Sequence, residues 1–128
     1  MAGIPKKIVQ MVLARDRGLC QLDDPGCELI ATVADHRANR GMGGSDILND
    51  PACLVAACWR GNQWKETVHG SDLDRLIIRG VRVRRDSTNA KTLTRCLETP
   101  VRMVDGLLYW LTSDGRRVPV GDEDDKPF

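Results

Sequence analysis

The chain has few aromatic residues and no long apolar run. Its 128 residues include three tryptophans, one tyrosine and one phenylalanine. No stretch stays apolar over the roughly 20 residues that a membrane-spanning helix needs, and the amino terminus lacks the basic and then apolar pattern of a secretion signal. The hydrophobic content of 41% is ordinary for a folded protein. We therefore expect a soluble protein, with no membrane partner, that is made in a cytoplasm.

The chain also lacks a strong net charge. The formal net charge is +1, but four of the 18 carboxylates and one of the 19 basic residues lie in the last seven positions. Residues 1–121 therefore carry a net charge of +4, and residues 122–128 form an acidic tail that we expect to be disordered. We expect residues 1–121 to form a single domain. A mildly basic body permits nucleic-acid binding without requiring it.

An even set of cysteines, typical of a disulfide framework, is missing as well. Five cysteines without a secretion signal indicate reduced thiols. Four of them cluster in one part of the sequence: Cys20, Cys27, Cys53 and Cys58. Such clustering is typical of a metal site, but reduced cysteines also pack in protein cores as small apolar residues. Both interpretations stay open at this point.

Hydrophobic spacing predicts two helices with a strand between them in the first half of the chain. One amphipathic helix is expected over residues 5–17 and a second over residues 53–67, with Asp50 as its N-cap. The apolar, β-branched residues 28–34 predict a strand that runs into Asp35 and His36.

The second half is predicted to hold a helix and a small sheet. The helix covers residues 71–79, and strands over 101–104 and 107–112 flank the hairpin dipeptide Asp105-Gly106. A third strand is expected over residues 117–120. The polar stretch between the helix and the hairpin gives no clear assignment.

A long basic loop joins the predicted strand to the second helix. It contains three glycines, which permit close backbone approach, and two arginines, Arg37 and Arg40. A surface loop explains this composition, but we favour a loop that meets a phosphate backbone because it follows Asp35 and His36. A later run of arginines, Arg79 to Arg85, is left open between phosphate contact and a solvated face.

The strand end carries side chains suited to phosphodiester hydrolysis. This reaction needs a base to activate water, a cation to stabilise charge on the phosphate, and groups that position the phosphate. His36, with an unperturbed pKa of about 6.5, suits the base at neutral pH. Asp35 supplies the hard oxygen that a divalent ion prefers. Asn62 and Lys65 share a face of the predicted second helix.

These residues resemble the His-Asn-His (HNH) endonucleases, particularly the small versions encoded by bacteriophages of actinobacteria. The matching positions are Asp35, His36, Gly43, Gly44, Leu54, Val55, Cys58, Asn62 and Lys65. The resemblance covers residues 8–67 and implies an α+β fold. Its ββα-metal core would span residues 18–67, after an N-terminal helix and before an extension over 68–121 with a helix and a β-hairpin.

The resemblance implies a metal-dependent endonuclease that hydrolyses DNA and leaves a 5′ phosphate. His36 would be the general base, and Asp35 and Asn62 would hold one divalent ion, which could be Mg²⁺, Mn²⁺, Ni²⁺ or Zn²⁺. The phosphate contacts would come from Arg37, Arg40 and Lys65. DNA is the implied partner, with a phage terminase as a further one, in the cytoplasm of a bacterial host.

Two positions depart from the family pattern. Cys53 stands where the family has the asparagine that orients the catalytic histidine, and Asn49 is the nearby residue that could replace it. Gly61 stands where the family has a further cysteine, so a structural zinc would need Cys20, Cys27 and Cys58 with Cys53 as the fourth ligand.

The departures leave alternatives to an active nuclease. The thiols could simply pack, and the chain could be a catalytically silent HNH-fold module that binds DNA or a protein partner. A homing-type nuclease with its own site specificity is a third reading, but no separate base-reading module is evident.

Overall fold

Two short apolar segments pair at the centre of the fold. Strand β1 (Val33–His36) runs antiparallel to strand β2 (Leu54–Ala57), so that Asp35 lies opposite Val55 and His36 opposite Leu54. All four residues of β2 are buried. The computed structural model describes residues 3–39 and 46–121, and within these ranges four α-helices surround or follow this sheet. The predicted α+β class is confirmed.

The remaining elements follow in sequence. The helices are α1 (Lys6–Arg15), α2 (Trp59–Lys65), α3 (Gly70–Ile78) and α4 (Asn89–Glu98). A second antiparallel sheet, in the order β3-β4-β5, consists of β3 (Val101–Arg102), β4 (Leu108–Leu111) and β5 (Arg117–Pro119). The helices predicted near residues 5–17 and 71–79 and the three-stranded segment are therefore confirmed. Among the described residues, no helix combines the length and apolar character needed to cross a membrane.

The helix predicted over residues 53–67 is wrong in its first half. Pro51–Cys53 form a 3₁₀ turn, Leu54–Ala57 form β2, and the helix begins only at Trp59. Four consecutive apolar residues carry no period that separates a strand from a helix, and pairing with β1 decides for the strand. Asp50 is a cap, as predicted, but of the 3₁₀ turn, where its side chain accepts from the Ala52 amide at 2.9 Å.

Two other elements differ from the sequence prediction. The strand expected over residues 28–34 begins at Val33, because Leu29 adopts a left-handed conformation (φ 70°) and the Ile30 amide bonds back to the Glu28 carbonyl. The polar stretch without an assignment contains α4. Its N-cap is Thr88, whose hydroxyl accepts from the Lys91 amide at 3.1 Å. The helix packs against the core through Leu93, Cys96 and Leu97.

Helix α1 is fixed on β2 by hydrogen bonds from a buried ion pair at the carboxyl end of the helix. Arg15 Nε lies 2.8 Å from Asp16 Oδ1, and both side chains are buried. The Arg15 guanidinium also donates to the carbonyls of Pro51 (2.8 Å) and Leu54 (2.6 Å). Asp16 Oδ2 in turn accepts from the Ala56 amide at 2.8 Å. These bonds satisfy backbone groups along one side of β2 and fix its position.

A second buried arginine, Arg37, joins the end of β1 to the 3₁₀ turn before β2 and to the ends of α3 and α4. Arg37 is fully buried, although a phosphate contact was predicted for it. Its guanidinium donates to four backbone carbonyls, those of Gly80 (2.9 Å), Ala52 (2.6 Å), Cys96 (2.9 Å) and Thr99 (2.7 Å). Burial lowers the pKa of Arg37 from its ordinary value, which shows the desolvation that these carbonyls compensate. Arg37 therefore holds the fold together and does not lie at a surface.

We expect Arg37→Lys to lower the free energy of unfolding by about 3 kcal/mol, because one ammonium group cannot replace a planar fork that serves four carbonyls. Urea unfolding measures the change. Arg84→Lys, at an exposed arginine, is the matched control and should shift stability by less than about 0.5 kcal/mol. Equal unfolding midpoints for the two variants would contradict this role of Arg37.

Candidate functional site

Asp35 and His36 close β1, and Lys65 reaches both of them from the end of α2. Lys65 Nζ lies 2.8 Å from Asp35 Oδ1, with both side chains buried. The same ammonium donates to the His36 carbonyl at 2.6 Å. Asp35 Oδ2 is also buried and has no hydrogen-bond partner among the residues that the structure describes. The carboxylate is thus half satisfied, by a cation on one oxygen.

The electrostatics of Asp35 reflect this incomplete pairing. Burial raises the pKa of Asp35, and the charge of Lys65 and its hydrogen bond lower it without cancelling the effect of burial. The charge of Arg82 also lowers the pKa of Asp35, which places a second cation near this carboxylate. A further positive charge near Oδ2 would favour the ionised form.

His36 is oriented by Asn49. His36 Nε2 lies 2.9 Å from Asn49 Oδ1, and Asn49 is buried in a 3₁₀ turn (Asp46–Asn49). Because an amide oxygen only accepts, this contact suits an imidazole that carries a proton on Nε2. The Asn49 Nδ2 group is buried without a partner among the described residues. Asn49, rather than Cys53, therefore contacts the histidine.

Cys53 lies in a different part of the core. It is fully buried in a cluster with Ala38, Leu48, Val83 and Cys96. The hydrogen bond between the Cys53 and Cys96 thiols raises the pKa of Cys53, and burial raises it as well. The structure therefore uses Cys53 for packing, at the position where a histidine-orienting residue was expected.

The predicted phosphate contacts are distributed differently from expectation. Arg37 and Lys65 are buried and already engaged by backbone carbonyls and by Asp35. Arg40 and the glycines of its loop lie outside the described residues, as does the acidic tail 122–128. Asn62 is half-buried in α2, three residues before Lys65 and so on the same side of that helix.

Surface arginines close to the site come from the segment that follows α3. This segment runs beside the residues after His36, since the Val83 amide donates to the Arg37 carbonyl at 2.8 Å. Arg82, Arg84 and Arg85 line an open cavity of about 350 Å³ together with Asn39, Leu73 and Ile77. Arg79, from the same basic run, instead donates to the carbonyls of Leu22, Gln21 and Arg102.

A second group of ligand-type side chains lies at the other end of α2. It consists of Cys20, Asp24, Cys27 and Cys58, whose ligand atoms all lie within 4.8 Å of one another. This group could hold a metal ion, as the cysteine clustering predicts. Asp24 takes the fourth place that was predicted for Cys53. The sequence offered no signal for it beyond its position in the turn between Cys20 and Cys27.

Burial raises the pKa of two thiols of this group above the ordinary value of a cysteine. Burial raises the pKa of Cys27 to about 12. Burial also raises the pKa of Cys20. Metal binding to such thiols must therefore release protons, so its affinity should fall as the pH falls.

No protein-family model, curated protein or solved structure matches this chain. Functional inference therefore depends on the geometry of these two groups of side chains.

The Asp35–Lys65 pair gives the site a predictable response to pH. We expect Lys65→Met to destabilise the fold by about 3 kcal/mol at neutral pH, because it leaves Asp35 buried without its cation. Since Lys65 lowers the pKa of Asp35, its loss raises that pKa further above the unfolded value. The folded variant then binds a proton more tightly than the unfolded chain, so its deficit should shrink as the pH falls through the raised pKa.

Urea unfolding at several pH values measures this effect. The double variant Asp35→Asn/Lys65→Met, which removes both charges, should recover much of the lost stability at neutral pH. A deficit of the same size at every pH, in the single and the double variant alike, would show that the pair does not act electrostatically.

Proposed function

We propose that the chain is a metal-dependent endonuclease of the HNH type that hydrolyses phosphodiester bonds of DNA. One observation supports this most directly: Asn49 contacts His36 Nε2, and the preceding residue, Asp35, is a buried carboxylate with one oxygen that lacks a partner among the described residues. A base and an incompletely satisfied anionic ligand at one strand end are what a one-metal hydrolytic site needs.

The arrangement of elements supports the same proposal. Strands β1 and β2 are antiparallel and are followed at once by α2, which ends at Lys65 beside Asp35. A ββα-metal core needs this order, with the base on the first strand and a metal ligand on the helix. Asn62, on the Lys65 side of α2, is the residue proposed for that ligand.

In the proposed reaction, the His36 imidazole takes a proton from a water molecule, whose oxygen attacks the phosphorus. The bond from phosphorus to the 3′ oxygen breaks, the 3′ oxygen takes a proton from solvent, and the product carries a 5′ phosphate. The protonated imidazole then returns its proton to solvent. Asn49 would orient the imidazole through the hydrogen bond between its Oδ1 and His36 Nε2. A divalent ion bound by Asp35 and Asn62 would stabilise negative charge on the phosphate and on the leaving oxygen.

The residues present fit such an ion. Asp35 Oδ2 is a buried acceptor that lacks a partner among the described residues, and Lys65 fixes the carboxylate through the other oxygen. Oxygen ligands from a carboxylate and an amide suit a hard divalent cation.

We expect the purified protein to nick or linearise supercoiled plasmid in the presence of at least one of Mg²⁺, Mn²⁺, Ni²⁺ and Zn²⁺. His36→Ala should lower the rate by about 100-fold or more, because a positioned general base contributes at least that much. Gel analysis of plasmid forms over time measures the rate.

The second histidine of the chain provides the control. His69 is exposed and its ring contacts only the carbonyl of nearby Thr67 among the bonds of the described residues, so His69→Ala should cleave like the parent. Cleavage that survives His36→Ala would exclude His36 as the base.

A silent DNA-binding or partner-binding module of the same fold is the second candidate. The Asp35–Lys65 ion pair favours it, because an ammonium group already partly neutralises the carboxylate that a divalent ion would use. Absence of cleavage with every metal, together with salt-sensitive DNA binding, would support this candidate. A phage terminase partner and the bacterial cytoplasm stay predictions of the resemblance.

We propose that Arg82, Arg84 and Arg85 supply phosphate contacts, since the predicted Arg37 and Lys65 are buried. Their cavity adjoins the chain directly after His36, because Arg85 Nη1 donates to the Asn39 carbonyl at 3.3 Å. Arg84 and Arg85 are exposed, and the charge of Arg82 lowers the pKa of Asp35. Three cations beside the chain segment that follows His36 would position a phosphate backbone by charge complementarity.

We expect Arg84→Gln/Arg85→Gln to weaken binding to duplex DNA and to lower the salt dependence of binding by about two units of slope, at about 0.9 for each lost phosphate contact. Lys6→Gln/Lys7→Gln removes the same charge from exposed positions on α1 and is the matched control. Fluorescence anisotropy over a range of salt concentrations measures both. Equal slopes for the two variants would exclude a specific role for the arginines.

We also propose that the group around Cys20, Cys27 and Cys58 holds a structural zinc ion that takes no part in cleavage. Four protein ligands would leave no open coordination position for water or substrate. Three of the four residues are buried, which suits a site that stabilises the fold.

A further inference from the structure

We infer that the carboxylate of Asp24 completes this zinc site as its fourth ligand, and that the glycine at position 61 is what makes room for it. The inference rests on the proposal that the cysteine group binds zinc. It is independent of DNA cleavage. It assigns a Cys₃Asp site in which two residues far apart in sequence, Asp24 and Gly61, depend on each other.

The turn between Cys20 and Cys27 carries Asp24 into the cysteine group. The Cys27 amide donates to the Asp24 carbonyl at 3.0 Å, and Asp23 and Gly26 adopt left-handed conformations (φ 53° and 75°) that tighten the chain on either side. Asp24 is 4% exposed as a result. Its side chain is therefore directed inward by the turn itself.

The Asp24 carboxylate is not satisfied by the protein groups around it. Oδ1 faces the Cys58 thiol, with Sγ at 3.8 Å. Oδ2 is buried and has no partner among the described residues. Burying a carboxylate with an unpartnered oxygen is costly, and a bound cation would remove that cost.

Gly61 leaves open the volume that the Asp24 carboxylate occupies. A Cβ atom at position 61 would lie 2.5 Å from Asp24 Oδ1 and 3.2 Å from Leu22 Cδ1. The first distance is too short for any side chain, so Asp24 in this position and a side chain at residue 61 exclude each other. Position 61 lies three residues after Cys58 in α2, the spacing from which a second cysteine ligand commonly comes. The carboxylate thus replaces a ligand from the helix.

The separations between the donor atoms suit a single tetrahedral ion. Cys27 Sγ and Cys58 Sγ are 3.9 Å apart. Two sulfurs on one tetrahedral zinc, each at about 2.3 Å, would lie about 3.8 Å apart. Backbone amides orient both sulfurs, with Gly61 N–H donating to Cys58 Sγ at 3.1 Å and Leu29 N–H to Cys27 Sγ at 3.3 Å. Such bonds fix ligand orientation in metal sites.

The ligand chemistry selects the metal. Three sulfurs with one carboxylate oxygen suit Zn²⁺, or Co²⁺ as a spectroscopic substitute, and disfavour Mg²⁺ and Ca²⁺, which bind through oxygen. The proposed catalytic ion at Asp35 would have oxygen ligands, so the two sites would differ in preference.

The test compares Asp24→Asn with Asp23→Asn, the same change at an exposed neighbour that keeps the left-handed conformation asparagine tolerates. We expect Asp24→Asn to lower zinc affinity by about tenfold or more, whereas Asp23→Asn should bind like the parent. Zinc content after dialysis against a graded chelator gives the affinity, and the Co²⁺ absorption spectrum reports the ligand set.

A second variant moves the ligand from the turn to the helix. Gly61→Cys alone should weaken binding because its Cβ collides with the Asp24 carboxylate. Asp24→Gly/Gly61→Cys should restore zinc binding, with a stronger sulfur-to-cobalt charge-transfer band from four thiolates. This rescue also shows that loss in the single variants is not simply misfolding.

Different results would exclude Asp24 as a ligand and exclude the zinc site itself. Parental zinc affinity in Asp24→Asn, with affinity lost in Cys27→Ser, would overturn Asp24 as a ligand and keep the structural zinc. A parent protein that binds no zinc would overturn the zinc site itself. Neither result depends on DNA cleavage.

Discussion

The buried guanidinium of Arg37 is the interaction on which the candidate site depends. It follows His36 directly in the chain and donates to carbonyls from the 3₁₀ turn before β2, the end of α3 and the end of α4. A planar group with donors on three nitrogens can satisfy carbonyls that approach from different directions, which a lysine cannot. The position of the histidine is therefore set by a residue that has no access to substrate. The sequence could not indicate that this arginine is buried, because its partners are all backbone atoms distant in the chain.

Two carboxylates are buried with incomplete hydrogen bonding, and different groups surround each of them. Asp35 and Asp24 are each buried with one oxygen that lacks a partner among the described residues. Lys65 offsets part of the cost at Asp35, whereas the Asp24 carboxylate lies against the Cys58 thiol. Because an unpaired buried carboxylate is unfavourable, both positions favour a cation. Oxygen ligands beside a histidine suit a hard ion, and sulfurs beside a carboxylate suit zinc, so the two proposed sites would differ in the metal that each prefers.

Local signals in the sequence predicted most of the elements that are stabilised locally. The spacing of apolar residues predicted α1, capping residues predicted α3, and Asp105-Gly106 predicted the turn before β4. Tertiary contacts decided the rest. Pairing with β1 turned Leu54–Ala57 into a strand, and the pairing of Lys65 with Asp35 joins residues that lie thirty positions apart. The sequence could place Asp35 and His36 together because they are adjacent, but it could not indicate that Asp24 would meet Cys58.

Helix α2 connects the two proposed metal sites. It starts at its cap residue Cys58, inside the cysteine group, and ends at Lys65, against Asp35. A helix of seven residues has little stability of its own, and its glycine at position 61 weakens it further. Its geometry must therefore come from anchors at the two ends. An ion held by Cys58 and Asp24 would fix the start of the helix, and the position of Asn62 and Lys65 at the other end would follow. A structural zinc would in this way contribute to the geometry of the hydrolytic site without touching the substrate.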